Sequence, residues 1–439
     1  MTADESRPRF TRILLCGIGL IFLTGVYLFN WSSAANPDFF NSWQLDSEGI
    51  ALQRIEADLL DRSPSPLGLL RVDGAAAPIH ERMMDPFFPL TDQSASLTYW
   101  PYESMVGGYA HALSWLFQNS PLASTARLHL VNSGLMAVVA LGMFWAFLRV
   151  SGKGLAWAWL ATAVSSPWLV AAGKNLYWTP WLWFVPALAA TILAIAKGWQ
   201  ARVGAVLLVW VAFFAKYMAT GYEVFTSLTL LAMSMPIIYT IFHGKTSRDR
   251  RTQVVNALWV AIASATAFMA VILIHARLLA PDIESGLRKI WVEVVLRRTY
   301  GDPSNFAPQY AESLAANPIN VVWRYVFGTW STDFLALGDS NLLLIRLGWL
   351  AFPVFIVVAA LITLLRAYRG DMTWRRDFVL LAMGFFLATS WFLVAKGHSY
   401  IHTHILFFLW YLLFVPVLLY VPARYAYEQR GAILRLLPR

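Results

Sequence analysis

The feature that most constrains this chain is its series of long apolar stretches. A helix needs roughly 20 predominantly apolar residues to cross the hydrocarbon core of a bilayer. Ten such stretches predict membrane spans at residues 11–30, 126–148, 155–173, 177–196, 203–219, 222–242, 256–279, 341–365, 377–395 and 403–422. Only 13% of the residues are charged, against about 25% in a typical soluble protein. The sequence therefore predicts an all-α polytopic membrane protein of about ten transmembrane helices, forming a single integral membrane domain over residues 1–439.

The positions of the basic residues predict how these spans are oriented. Short loops on the cytoplasmic side of a membrane carry an excess of Lys and Arg. Basic clusters occur here on alternate loops: Arg7, Arg9 and Arg12; Arg149 and Lys153; Lys197 and Arg202; Lys245, Arg248, Arg250 and Arg251; Arg366, Arg369, Arg375 and Arg376; and Arg424, Arg430, Arg435 and Arg439. We expect both termini in the cytoplasm, and two long loops, 31–125 and 280–340, outside a bacterial inner membrane. The net charge of +9 then reflects topology and does not indicate a nucleic-acid partner.

The first predicted span also has features of a cleavable signal peptide. It has a basic start, an apolar run and small residues at 33–35. A retained anchor is favoured, because it gives an even number of spans with a consistent charge pattern. The single cysteine, Cys16, lies in this span and excludes an internal disulfide.

The two outer loops are predicted to contain short helices. Residues 47–61 place Leu52, Ile55 and Leu59 on one helical face and charged side chains on the other, which is typical of a helix in the membrane interface. Residues 62–98 are rich in Pro, Gly and Ser and predict an irregular loop. A second helix is predicted at 99–117, interrupted by two glycines. In the second loop, the sequence predicts helices at 282–298, 311–316 and 321–327.

Two carboxylates at the start of the first outer loop, Asp46 and Glu48, are the leading catalytic candidates. With one residue between them, they can share a cavity at the start of the interfacial helix. One can accept a proton from an attacking hydroxyl while the other orients the substrate or binds a metal. A divalent cation, Mg²⁺ or Mn²⁺, is therefore a candidate cofactor. The alternative is structural, because acidic residues also stabilise a helix N-terminus.

Basic residues on the outer side predict a phosphate site. Lys174, Lys216 and Lys396 each lie at the outer end of a different span, so they can converge on one anionic lipid phosphate. The alternative is that each side chain simply extends to the membrane interface. The adjacent pair Arg297 and Arg298 can clamp a phosphate with paired hydrogen bonds, or contact lipid headgroups without specificity.

Two further groups of ionisable residues occur near the outer ends of spans. The spacing of His398 and His402 places both on one helical face, close to His404. Zinc ligation is one use of such a group, but no carboxylate completes a site locally, so binding of phosphate or sugar or plain interface polarity is favoured. Glu223 enters the sixth predicted span and needs a partner or water; Lys216 is the obvious ion-pair partner.

This arrangement resembles the GT-C class of membrane glycosyltransferases. The resemblance rests on one span leading into a long outer loop that opens with Asp46-Ser47-Glu48, on the tract from Tyr99 to Gly108, and on a second outer loop after the seventh span. It implies a sugar donor linked to a polyprenyl phosphate and transfer on the outer face. It also implies that Asp46 or Glu48 acts as base or metal ligand, and that outer-loop basic residues hold the lipid phosphate.

These observations predict a glycosyltransferase that moves a sugar to a hydroxyl acceptor, either a glycan or a lipid-linked glycan. Asp46 would be the base and Glu48 would position the acceptor or a metal. Arg297, Arg298 and Lys396 would stabilise the departing lipid phosphate, with Lys174, Lys216, Glu223, His398 and His402 as further substrate contacts. Two alternatives remain: a polymerase or ligase of lipid-linked glycans, which would prefer a pyrophosphate-linked donor, and a flippase or transporter, which would not need the acidic pair.

Overall fold

The computed structural model is almost entirely helical. It describes residues 3–63, 65–73, 97–121, 124–328, 334–335 and 350–436. The helices in these ranges are α1 (Ala3–Phe29), α2 (Pro37–Ser42), α3 (Leu45–Leu59), α4 (Gly108–Asn119), α5 (Thr125–Val150), α6 (Lys153–Ser165), α7 (Pro167–Ala172), α8 (Trp181–Ile195), α9 (Trp199–Thr220), α10 (Phe225–His243), α11 (Ser247–Leu279), α12 (Ile283–Lys289), α13 (Ala311–Ala315), α14 (Pro318–Phe327), α15 (Ala351–Tyr368), α16 (Thr373–Val394), α17 (Lys396–Ile401), α18 (Thr403–Leu406) and α19 (Phe414–Leu436). The strands β1 (Leu70–Asp73) and β2 (Thr98–Pro101) form one antiparallel pair.

The described residues contain fewer helices that could span a membrane than the ten that the sequence predicts. Six helices within the described ranges are long and apolar enough to cross a membrane: α5, α9, α10, α11, α15 and α16. A seventh span results if the bent pair Thr403–Leu412 and Phe414–Arg430, which meet at 48°, is counted as one. The chain is an all-α, multi-pass membrane protein as predicted, but ten spans are not confirmed.

Local features of the chain explain why some predicted spans are not among these helices. The predicted spans 11–30 and 177–196 contain shorter apolar helices, Ile13–Phe29 and Trp181–Ile195. The predicted span 155–173 is divided into α6 and α7 at Pro167, because the residue before a proline disfavours helical geometry and Ser166 instead caps α7. Residues 341–349, the start of the predicted span 341–365, lie outside the described residues.

The helices form one bundle with a continuous apolar core. Helices α8, α9, α10 and α11 pack on one another, α1 and α6 pack on α5, and α16 joins α10 to α19. Consecutive spans run in opposite directions, so the C-terminal ends of α9, α11 and α16 share one end of the bundle with the N-terminal end of α10. This end carries the loops predicted to lie outside and is called the outer end here.

The first outer loop contains a small packed unit rather than an exposed interfacial helix. Helix α3 agrees with the predicted 47–61 helix, but its predicted polar face is buried: Arg54 is 7% exposed and Glu56 is fully buried. The face packs on α4 and on β1. Arg54 is satisfied internally, because its Nε donates to Asp58 Oδ2 at 2.9 Å and its Nη1 donates to the carbonyls of Ser65 and Leu67.

Two other predictions for this loop were only partly confirmed. Within the predicted irregular region 62–98, residues 70–73 form β1, and 74–96 lie outside the described residues. The predicted 99–117 helix is instead strand β2 followed by α4, with Gly107 between them at a φ of 70°. Tyr99 and Val72 are cross-strand partners, so pairing with β1 overrides helix formation in this segment.

The second outer loop follows its prediction more closely. Helix α12 continues into a π-helix, Ile290–Leu296, which together cover the predicted 282–298 helix. Two short 3₁₀ turns, Pro303–Asn305 and Pro308–Tyr310, lead to α13 and α14 near the predicted 311–316 and 321–327 helices. The π-helix delivers Arg297 and Arg298 to the outer end of the bundle.

We expect Arg54→Met to lower the stability of the protein by about 3 kcal/mol, because it leaves Asp58 and two carbonyls without their buried partner. Thermal unfolding in detergent measures the effect as a fall in Tm. Arg62→Met, at an exposed position just after the same helix, is the matched control. Equal Tm values for the two variants would contradict the buried role of Arg54.

Candidate active site

The first turn of α3 is held in place by the segment between α7 and α8. Gln44 precedes the helix in the left-handed conformation, with φ 54°. The Asn175 side chain donates through Nδ2 to the carbonyls of Trp43 and Gln44, at 3.4 and 3.3 Å. The start of α3, which carries Asp46 and Glu48, is therefore tied to the segment between α7 and α8.

That segment is itself fixed by Asn132, a fully buried polar residue of α5. Asn132 Nδ2 donates to the carbonyls of Gly173 and Asn175, at 3.2 and 3.0 Å. Asn132 Oδ1 accepts from Trp181 Nε1 at 2.8 Å and from Tyr109 at 3.1 Å. These four hydrogen bonds make Asn132 and Asn175 a rigid support for the carboxylates above them.

The two carboxylates have different environments. Glu48 is 2% exposed, and its Oε1 lies 2.5 Å from Nε2 of His129 on α5. Lys174 packs against the ring of Phe40 at 3.8 Å; burial lowers its pKa, and the Glu48 carboxylate opposes that shift. Glu48 is thus enclosed by cationic or proton-donating groups, which suits an orienting role better than a freely accessible base.

Asp46 is the accessible member of the pair. Its side chain is exposed at the first turn of α3. Its carboxylate acts electrostatically on both His402 and His404, which belong to the segment that follows α16. The structure therefore brings Asp46 from the first outer loop toward the histidine segment at residues 398–404.

A buried ion pair occupies the centre of the outer end. Arg298 Nη1 lies 2.5 Å from Glu223 Oε1, and both side chains are less than 10% exposed. His398 Nε2 lies 3.9 Å from the same carboxylate oxygen. The predicted ion pair between Glu223 and Lys216 was wrong. Lys216 Nζ instead donates to the backbone carbonyls of Gly221 and Glu223, at 2.6 and 2.9 Å, because it lies beneath the turn that presents the carboxylate.

The basic residues do not converge as predicted. Lys396 Nζ donates to the carbonyls of Leu314 and Ala316, which fastens the end of α13. Lys216 holds the α9–α10 turn and Lys174 packs on Phe40, so each of these three lysines has a separate set of partners. Three different local anchors explain why one shared anion site does not form.

The predicted bidentate clamp of Arg297 and Arg298 is also absent. Arg298 points to Glu223, whereas Arg297 packs over the Tyr310 ring at 5.4 Å. Adjacent side chains on a helix point about 100° apart, so the two guanidinium groups serve different surfaces.

The rings of the histidine segment lie close together. The rings of His398 and His402 lie 4.5 Å apart, as their helical spacing predicts, and those of His402 and His404 lie 6.1 Å apart. Burial lowers the pKa of His402 to about 4, against opposing effects of Glu223 and Asp46. Burial and neighbouring positive charge also lower the pKa of His398. No group of three His, Cys, Asp or Glu side chains in the described residues is arranged to hold a metal ion.

An apolar groove of about 680 Å³ opens beside the ion pair. Its walls come from α10, α11, the π-helix and α16, and include Phe268, Ile272, Trp291 and Val294. Arg298 and Trp391 also line the groove. In the described part of the chain, the buried donors Arg298 Nε and Trp391 Nε1 have no hydrogen-bond partner. The groove therefore combines an apolar surface with two unsatisfied N–H donors.

A polar pocket of about 580 Å³ lies across the π-helix from this groove. Its lining contains four cationic side chains, Arg71, Arg288, Lys289 and Arg297, and two acidic ones, Glu103 and Glu293. Lys289 Nζ pairs with Glu103 Oε1 at 2.6 Å. Arg288 and Val294 line both the pocket and the groove, so the two cavities are neighbours.

No family model, curated protein or solved structure matches this sequence. The meaning of the site accordingly rests on its own geometry and chemistry.

Two residues of this site were missed at the sequence level. His129 lies inside the predicted span 126–148, where an ionisable residue is itself a sign of function, so that signal was present. Trp391 carried no such signal, because tryptophan near a span end is common at membrane interfaces. Trp391 becomes a candidate site residue only because it lines the groove. That groove forms where four segments that are distant in sequence pack together.

We expect the protein to lose stability as the pH falls below about 6.5, and His402→Asn to reduce that loss. A histidine with a folded-state pKa of about 4 and an ordinary value of 6.5 binds fewer protons when folded. Its contribution is therefore complete above pH 6.5 and declines as the pH falls toward 4.

The measurement is Tm between pH 7 and pH 5, a range that avoids most carboxylate titration. His243→Asn, at an exposed position ending α10, should keep the wild-type pH profile. An unchanged profile for His402→Asn would show that His402 is not held neutral by burial.

Proposed function

We propose that this protein is a membrane glycosyltransferase that takes its sugar from a polyprenyl-phosphate donor and transfers it to a hydroxyl acceptor on the extracytoplasmic face. The acceptor would be a glycan or a lipid-linked glycan, and the setting a bacterial inner membrane with both termini cytoplasmic. The resemblance to the GT-C class supports this proposal, and the geometry of the outer end refines which residues would act.

The apolar groove carries the proposal. Its apolar walls suit a hydrocarbon chain, and a polyprenyl phosphate joins such a chain to an anion. Arg298 and Trp391 both line the groove, and each has a buried donor, Arg298 Nε and Trp391 Nε1, without a partner among the described residues. Buried N–H groups are normally satisfied, so a phosphate oxygen from the donor would complete both.

The reaction also needs a base, and in this proposal the exposed carboxylate of Asp46 takes that role. Asp46 would remove the proton from the acceptor hydroxyl as its oxygen attacks the anomeric carbon. The bond between that carbon and the phosphate oxygen breaks, and the polyprenyl phosphate leaves as an anion. Direct displacement inverts the anomeric configuration. Positive charge at Arg298 would stabilise the negative charge that develops on the leaving group.

Glu48 would support this chemistry without contacting the transferred proton. Its short contact with His129 fixes its carboxylate below the accessible face. From there Glu48 can orient the acceptor or, if a divalent cation takes part, supply one ligand. His402, which burial keeps neutral, can donate a hydrogen bond to the acceptor or the sugar.

The polar pocket favours one alternative, a polymerase or ligase acting on lipid-linked glycans. A pyrophosphate carries more charge than a monophosphate, and a pocket beside the groove with four cationic and two acidic side chains has the net positive charge that suits the larger anion. Mass spectrometry of copurified lipids separates the two functions. A polyprenyl monophosphate supports the monophosphate-dependent transferase, whereas a pyrophosphate-linked glycan supports the polymerase or ligase. Bulk phospholipid alone would contradict both donor assignments.

We expect Asp46→Asn to lower sugar transfer at least ~100-fold, the usual effect of removing a general base, while Tm stays close to wild type because Asp46 is exposed. Transfer of radiolabelled sugar from a polyprenyl-phosphate donor measures the effect. Asp38→Asn, an exposed carboxylate in α2, is the matched control. Full activity in an Asp46→Asn, Glu48→Gln double variant would rule out the acidic-pair mechanism.

We expect Ile272→Trp to fill part of the groove and raise KM for the lipid donor about tenfold, with a smaller change in kcat. Ile274→Trp introduces the same side chain on the same helix, at a position that is 36% exposed and outside the groove lining. Steady-state kinetics with varied donor provide the test. Equal KM values for the two variants would place the lipid chain elsewhere.

A further inference from the structure

A second cavity, far from the proposed active site, has the composition of a lipid-headgroup site. This basic groove, of about 610 Å³, lies between α9 and α11 and touches the end of α8. The C-terminal ends of α9 and α11 lie at the outer end of the bundle, and their N-terminal ends lie at the opposite end. The basic groove is formed by the N-terminal turns of these two helices. It therefore lies at the end predicted to face the cytoplasm.

Three arginines surround the mouth of the basic groove: Arg202 on α9, and Arg248 and Arg251 on α11. Its lining, all of which lies in described residues, contains no acidic side chain. Asp249, the acidic residue in this turn of α11, is used elsewhere: its carboxylate accepts the backbone N–H of Thr246, and its own N–H donates to the Thr246 hydroxyl. The three positive charges thus have no lining counter-charge.

One arginine atom indicates a missing acceptor. Arg202 Nε is buried, and the described residues provide no hydrogen-bond partner for it. A buried guanidinium donor without an acceptor is costly. A phosphate at the mouth of the basic groove would be held by charge-assisted hydrogen bonds from the guanidinium groups, and a shift of the Arg202 side chain toward it would give Nε an acceptor.

Below the arginines the basic groove is apolar. Val203, Leu207, Val255 and Trp259 line it, and each side chain is between 42% and 61% exposed. Arg251 and Trp259 are eight positions apart on α11, so the apolar wall extends ~12 Å along the helix axis. The floor is closed because Gln253 and Asn256 cap the last carbonyls of α8, those of Ala194 and Leu193.

We propose that this basic groove binds an anionic phospholipid, with its phosphate among Arg202, Arg248 and Arg251 and an acyl chain along the wall ending at Trp259. A headgroup with several negative charges fits three unneutralised arginines better than a zwitterionic one. Basic pockets between membrane helices on the cytoplasmic side bind such lipids in general. This inference is independent of the proposed glycosyltransferase activity, because the two sites lie at opposite ends of α9 and α11.

The test is native mass spectrometry of the full-length protein, titrated with cardiolipin and with phosphatidylcholine. Wild type should bind cardiolipin at least tenfold more tightly. Replacing Arg202, Arg248 and Arg251 with Gln should weaken cardiolipin binding by roughly fivefold per arginine. The control carries the same loss of charge at Lys245, Arg250 and Arg375, which lie outside the basic groove, and should bind like wild type.

Two further arms keep the proposal testable. Val255→Trp, which leaves the charge unchanged, should weaken cardiolipin binding by filling the acyl-chain path, and wild-type binding by this variant would overturn the proposal. Glycerol phosphate, which has no acyl chain, should not displace cardiolipin at comparable concentration; equal displacement would reduce the site to a simple anion site. If the triple variant does not fold, Arg251→Gln alone should show a fivefold loss, and no loss would count against the proposal.

Discussion

The outer end of this protein is organised around the buried ion pair of Glu223 and Arg298. Two charges withdrawn from water are tolerable only together, and removing one partner typically costs about 3–5 kcal/mol. Glu223 follows the tight α9–α10 turn, whose carbonyls Lys216 fastens from beneath. Arg298 arrives from the second outer loop. The pair therefore joins two segments that are distant in sequence, with His398 close to the same carboxylate and Arg298 in the lining of the apolar groove.

Local features of the structure were predictable because they depend on nearby residues. Apolar stretches located helices, and the spacing of His398 and His402 placed their rings together. The predictions that failed concerned side chains whose partners are far away along the chain. The contact of Glu48 with His129 spans 81 positions, and no local pattern distinguishes the buried Glu48 from the exposed Asp46.

Charged residues were the hardest to interpret from sequence. An amphipathic pattern placed Arg54 on a polar outer face, yet α4 and β1 cover that face and internal acceptors satisfy the guanidinium. Lys216 and Lys396 were expected to attract an anion, yet backbone carbonyls occupy both ammonium groups. Every segment has backbone carbonyls, whatever its side chains are. A lysine that binds such carbonyls therefore cannot be recognised from the sequence.

The π-helix at Ile290–Leu296 has a consequence for how the outer end tolerates change in chain length. Its wider turn accommodates one more residue per hydrogen-bonded loop than an α-helix does. Deleting a single residue there would convert the wide turn into a regular α-helical turn, because the wide turn absorbs one extra residue. The residues that follow would keep nearly the same rotation, so Arg298 would still face Glu223. In a regular α-helix the same deletion would rotate everything that follows by about 100°. This segment therefore tolerates the loss of one residue better than a regular helix would.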